Sequence, residues 1–195
     1  MLQYLVIFGS VARLGGAWFY IRDTLKGKTK PNRVTWLLWS VPGLLASAVA
    51  LSHGFHWSAL PILSVTLAPL TILASSFFNR NAYWKLHALD YVCGLLGCFT
   101  LIFWILSGNP FVTLILAIAI DILAAIPTLI KSWNYPETET SLNYLLAIVN
   151  ALTGFVAVQT WVFIEYGFIT YMVCINALLL LAIYHKRLIK IFARV

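Results

Sequence analysis

Thr29–Trp39 reads TKPNRVTWLLW, a basic, proline-containing loop that turns within a few residues into an apolar run with two tryptophans. A related stretch, NYPETETSLNYLL, returns at Asn134–Leu146. Pro31 matches Pro136, Thr35 matches Thr140 and Trp39 matches Tyr144. Just upstream, Ile21-Arg22-Asp23 matches Ile130-Lys131-Ser132, the first copy carrying the longer loop. A chain that repeats a loop-to-helix transition in this way is built from two copies of one unit.

The composition says what kind of unit. Of 195 residues, 62% are hydrophobic and 10% charged, with a mean hydropathy of +0.90. A soluble domain carries about 45–50% apolar and roughly 25% charged residues, so there is too little polar surface to cover a water-soluble globule. An integral membrane protein is expected. A spanning helix needs roughly 20 mostly apolar residues. Seven stretches qualify, at about 2–21, 34–53, 57–77, 87–107, 110–131, 141–163 and 167–186. The expected fold is all-α. Residues 1–78 form one three-helix repeat, 79–108 a connector helix, and 109–195 the second repeat. An odd connector inserts both copies in the same orientation, and parallel repeats place a substrate site near the midplane between them.

Orientation follows from Lys and Arg in the short loops. Arg22, Lys26, Lys28, Lys30 and Arg33 follow span 1, Arg80 and Lys85 follow span 3, and Lys131 follows span 5. The tail adds Lys186, Arg187, Lys190 and Arg194. The opposite loops, SHGFHW, SGNP and IEYG, hold none. The N-terminus is therefore expected outside and the C-terminus in the cytoplasm, in a multi-pass protein of the plasma (bacterial inner) membrane. The first apolar stretch lacks a basic leader and a small-x-small cleavage site, so it is read as a retained span. The net charge of +7 is spread over span ends rather than along one stripe, which points to the bilayer surface and away from nucleic acid. Cys93, Cys98 and Cys174 all lie in apolar runs without metal-ligand spacing, so no disulfide framework, metal site or cofactor is expected.

Ionisable residues inside spans are costly and usually functional. Arg13 in span 1 and Asp121 in span 5 stand out. Aligning Ile21 with Ile130 sets Asp121 opposite Ala12, so the two charges share a depth and are expected to pair across the repeats. The pair either fixes bundle packing or couples transport to a proton. Asp90 lies one turn after His87, which suits a hydrogen-bonded pair on one face. His53 and His56, beside Trp57, read as residues of the outer interface. Pro127 and Pro42, with Pro61 and Pro69, interrupt helical hydrogen bonding and are candidate hinges. Trp39 and Asn150 stand at matching depths of spans 2 and 6, an indole and an amide suited to a planar or sugar-like solute. Asn143, Asn150 and Asn176 need hydrogen-bond partners in lipid, which neighbouring helices also supply. The basic loop with Arg33 faces a copy carrying Glu137 and Glu139, and the two are expected to meet as a cytoplasmic gate.

The 3+1+3 layout resembles that of the SWEET and PQ-loop superfamily of small-solute transporters over most of the chain. Pro127-Thr128 stands where that family has its Pro-Gln pair. TWVFIEYGFITYMVCIN, Thr160–Asn176, is similar to the SWEET stretch in which a tryptophan precedes Tyr-Gly and a pocket asparagine follows. The resemblance implies that Trp161 and Asn176 are pocket residues, with Thr71 at the place of the first repeat's asparagine. The chain departs from the pattern where glutamine is missing from both Pro-Gln positions, where Gly15-Gly16 stands in place of a proline, and in a sixth span without proline. These departures fit an outlying prokaryotic branch and do not carry over a sugar substrate.

The function expected is alternating-access transport of a small polar solute, whether a sugar, a vitamin precursor such as a nucleoside, or an amino acid. With no Walker A loop, transport is passive or ion-coupled. The alternative is a seven-helix receptor that binds without transporting. No His-Glu-x-x-His or Gly-x-Ser-x-Gly motif suggests an enzyme. The expected partners are the solute and the bilayer, and a homo-oligomer is left open.

Overall fold

The computed structural model describes residues 2–52 and 59–192; His53, His56 and Trp57 lie outside them. Among the described residues there are seven α-helices and no strand. They are α1 (Leu2–Leu25), α2 (Arg33–Ser52), α3 (Ala59–Ser75), α4 (Ala88–Leu106), α5 (Pro110–Asn134), α6 (Ser141–Gly154) and α7 (Phe163–Phe192). Single 3-10 turns occupy Arg80–Ala82, Pro136–Thr138 and Phe155–Ala157. Among the described residues four segments are long and apolar enough to cross a membrane: Tyr4–Leu25, Ala88–Leu106, Pro110–Asn134 and Phe163–Ile189. Val92, Phe99, Phe103 and Leu106 of α4 all stand exposed, an apolar outer face that is compatible with a membrane helix.

The helix starts are chemically specified. Asn32 caps α2, its amide oxygen accepting from Val34 N (3.1 Å) and Thr35 N (3.4 Å). The same side chain donates to Asp90 Oδ1 at 2.5 Å and so ties the start of α2 to that of α4. Asp90 also takes the backbone N–H of His87 at 2.5 Å. His87 and Asp90 are therefore joined mainly through the backbone, their side chains standing 3.8 Å apart. Asn109 caps α5 ahead of Pro110, accepting from Phe111 N and Val112 N.

The sixth expected span is shorter than the sequence suggests. Regular helix stops at Gly154, a 3-10 turn follows, and Val158 is extended. Glu165, in the first turn of α7, takes the N–H groups of Gln159 and Thr160, both at 2.9 Å, and the Thr160 hydroxyl at 2.5 Å. Those bonds satisfy backbone donors that a continued helix would have used, and hold the loop away from α6.

The packing runs as a ring. α3 lies on both α1 and α2, and α7 lies on both α5 and α6. Between the two halves, α1 packs on α6 and α2 on α5, while α4 covers α5 and touches α2. The α1–α6 approach depends on small residues. A Cβ at Gly16 would sit 3.2 Å from the Asn143 backbone, and one at Gly9 would overlap Thr153 Oγ1. Two glycines seven apart share one helix face. The core of the ring is a cluster of Tyr20, Trp36, Tyr144, Ile72, Leu179 and Ile183. Tyr20 and Trp36 meet edge-on at 4.9 Å and Trp36 and Trp39 at 5.0 Å, geometries that suit aromatic quadrupoles.

Candidate functional site

A cavity of about 560 Å³ lies inside the ring, within the size range of small-molecule sites. Its wall draws on α1, α2, α3, α5, α6 and α7, with Trp104 added from α4. It occupies the half of the bundle containing the start of α1 (Val6), the start of α3 (Pro61, Ile62) and the end of α6 (Gly154). Most of the wall is apolar. The polar groups are a minority: Arg13, Asp121, Asn143, Asn150 and Asn176, with the hydroxyls of Thr66, Thr153 and Tyr144 and the indoles of Trp39 and Trp104.

Arg13 and Asp121 both face this space, but they do not pair. Arg13 Nη1 donates to Asn143 Oδ1 at 2.9 Å, and Asp121 Oδ2 accepts from the Tyr171 hydroxyl at 2.7 Å. Among the described residues the ion pairs are Arg22–Asp23, His87–Asp90 and Lys131–Glu139. The expected Arg13–Asp121 contact is thus replaced by one neutral partner for each charge. Trp39 Nε1 leans on the Asp121 carbonyl at 3.5 Å, and Asn176 Nδ2 donates to Met172 O at 2.8 Å. Pro42 also lines the wall. Pro127 lies within an uninterrupted α5. As a proline it takes away the helical donor of the Leu123 carbonyl, and one residue on the Ala124 carbonyl receives the Thr35 hydroxyl at 2.7 Å. Thr128 then donates to Thr35 Oγ1 at 2.9 Å, which binds α5 to α2 beside the proline.

The other end of the ring, where the basic loops lie, is sewn shut. Lys30 N donates to Thr138 O at 3.0 Å, so the two quoted loops meet through their backbones. Thr29 and Thr140 share a hydroxyl hydrogen bond of 2.6 Å, and Thr140 also donates to Asp23 at 3.1 Å. Beneath them Glu139 is fully buried. One carboxylate oxygen meets Lys131 Nζ at 2.5 Å, and the other accepts from Tyr20 (2.9 Å) and Tyr144 (2.7 Å). Lys131 also donates to the Lys30 carbonyl and lies 5.2 Å from the Trp84 ring.

No protein-family model, curated protein or solved structure matches the chain.

Several expected residues stand elsewhere. The loops do meet, but not through Arg33, which donates to Ser76 Oγ and O and lies 4.2 Å over the Phe77 ring. Glu137 is exposed, so of the three expected gate residues only Glu139 joins the closed end. Its cation is Lys131, a residue that sequence alone reads as an orienting loop lysine. Trp161 is 71% exposed and packs on Phe155 and Tyr166, outside the cavity wall. Thr71 faces a separate groove beside Ile21 and Phe78, and its hydroxyl is spent on the Leu67 and Ala68 carbonyls. Sequence reasoning passed over Tyr144, Tyr171, Tyr20 and Lys131. For Tyr144 a signal existed, because it is the repeat partner of Trp39 and both line the cavity. Among the described residues, no three His, Cys, Asp or Glu side chains gather to hold a metal.

Proposed function

We propose that the protein is a multi-pass carrier of a small polar solute in the bacterial inner membrane, working by alternating access. The observation that carries this reading is a single one. A cavity with isolated polar groups lies between the two halves of an apolar helix ring, and it is closed at one end by bonds between equivalent loops of the halves. In this reading all seven helices span, and α1–α3 and α5–α7 are parallel copies joined by α4. The pattern of contacts supports it: the third helix of each half packs on the first and second, and exchanging the halves turns the α1–α6 contact into α5–α2. With the basic loops in the cytoplasm, the conformation is closed inside and its cavity lies toward the outside.

Tyr144 supplies a link between ligand and closure. Its ring belongs to the cavity wall while its hydroxyl holds Glu139 in the closed end. A solute pressing on that ring acts on the closure, which is the differential contact that a ligand-driven change of state needs. The reading also takes up the sequence resemblance to SWEET and PQ-loop transporters. The test is counterflow in liposomes holding the purified protein, loaded in turn with sugars, nucleosides and amino acids. Exchange of labelled solute driven by unlabelled solute inside is expected. Tight binding without exchange would replace the carrier by a receptor.

A further inference from the structure

We propose that the cavity takes a zwitterion: a small solute bearing a carboxylate and an ammonium on an apolar body, of the amino-acid class. This rests on the carrier reading for the site but is argued from the charges alone. Arg13 and Asp121 come from opposite sides of the ring, on α1 and α5, and both line one cavity. They stand beyond ion-pair distance of each other, since neither belongs to any of the ion pairs among the described residues. Each has bonding capacity left over. The guanidinium has five N–H donors and makes one hydrogen bond among the described residues, to Asn143. The Asp121 carboxylate, with about four acceptor positions, takes the Tyr171 hydroxyl at Oδ2 and has the Trp39 indole as its other neighbouring donor.

An apolar cavity with two separated, incompletely satisfied charges of opposite sign selects its occupant by sign and spacing. A neutral polyol offers weak dipoles to both and neutralises neither. An anion satisfies Arg13 and repels Asp121, and a cation does the reverse. Only a ligand carrying both signs compensates both buried charges at once, which is the condition under which buried charge is tolerated. The carboxylate then lies against Arg13, whose planar fork suits it, and the ammonium against Asp121. Pro42, Ile120, Met172, Ile175 and Leu179 leave the remaining wall to an apolar body.

The experiment measures binding and counterflow on the wild-type protein in liposomes. The probes are the common α-amino acids and glycine betaine, with D-glucose and uridine as neutral solutes. The tightest amino acid is then compared with its amide, which lacks the anion, and its N-acetyl derivative, which lacks the cation. Each derivative is expected to bind at least about 30-fold more weakly, the loss that follows from leaving one buried charge unpaired. Arg13→Gln should erase the discrimination against the amide, and Asp121→Asn the discrimination against the N-acetyl compound. Derivatives that bind as well as the parent, or glucose or uridine bound with no zwitterion bound, would overturn the proposal. The two readings fail separately. Counterflow of a neutral solute without zwitterion binding ends this inference and keeps the carrier, whereas zwitterion binding without counterflow does the opposite.

Discussion

Glu139→Gln tests the closed end most directly. In the native protein the Lys131 and Glu139 side chains are 1% and 0% exposed and 2.5 Å apart. The variant keeps an acceptor for Tyr20 and Tyr144 but removes the carboxylate that pairs with Lys131 among the described residues, leaving an ammonium buried with the Lys30 carbonyl and the Trp84 ring as its partners. Breaking a buried pair from one side costs about 3–5 kcal/mol. For a chain of this size each kcal/mol moves the melting temperature by about 2–4 °C, so a drop of roughly 6–20 °C is expected. Lys131→Met leaves the opposite charge stranded, eased by two tyrosine hydroxyls, and should fall at the low end of that range. In Glu139→Gln with Lys131→Met no charge is stranded, and replacing a buried pair by neutral groups is often close to neutral. The double variant should therefore melt above either single variant. The assay is thermal unfolding in detergent, read with a thiol-reactive dye on Cys93, the cysteine that the fold buries. If the double variant loses the sum of the two single losses, within about 0.5 kcal/mol, the charges do not depend on each other and the account of the closed end is wrong.

Other regions give independent outcomes. Gly16→Leu should push α1 off the Asn143 backbone and cost about 1–3 kcal/mol in the same melting assay; a wild-type melt would contradict the close approach of α1 and α6. Asn32→Ala removes the α2 cap, costing about 1 kcal/mol, and strips Asp90 of a donor as well, so Asn32→Asp, which can cap α2 but sets a second carboxylate beside Asp90, should restore no more than part of the loss. If Asp121 couples uptake to protons, Asp121→Asn should flatten the pH dependence of uptake, and an unchanged profile would leave Asp121 a ligand-binding group alone. In a cysteine-free background, Asn109→Cys should react with an impermeant maleimide on intact cells. Lys28→Cys should react only after permeabilisation, and the reverse pattern would invert the orientation.

Much of the frame is legible in the sequence because it depends on one-dimensional quantities. Span 4, expected at 87–107, forms a helix from Ala88 to Leu106, since apolar length and an Asp at the third helical position fix both ends locally. Arg13, Asp121, Trp39, Asn150, Asn176 and Pro42 do line one cavity, because polar and proline residues in apolar runs are costly and conspicuous. What the sequence hides is what depends on the path of a loop. Lys131 closes an apolar span, as any snorkelling anchor would. Only the 3-10 turn at Pro136–Thr138 swings Glu139 back over it. Arg13 and Asp121 line one cavity, yet an alignment of the repeats speaks to depth alone and says nothing of azimuth. Asn143 and Tyr171 reach the charges first. Trp161 was singled out by its neighbours in the chain, but the early end of α6 leaves it on an exposed rim.

The pairing of Lys131 with Glu139 has an electrical consequence. Moving one elementary charge through the field of a membrane takes about 2.3 kcal/mol per 100 mV. The Lys131–Glu139 pair sums to zero. A rearrangement that carries this pair as a unit performs no net work against the membrane potential. On the proposed carrier reading, the closed end would then add nothing to the voltage dependence, and an electrogenic signal would have to come from charges elsewhere, such as Arg13 and Asp121 moving apart or an ion travelling with the solute.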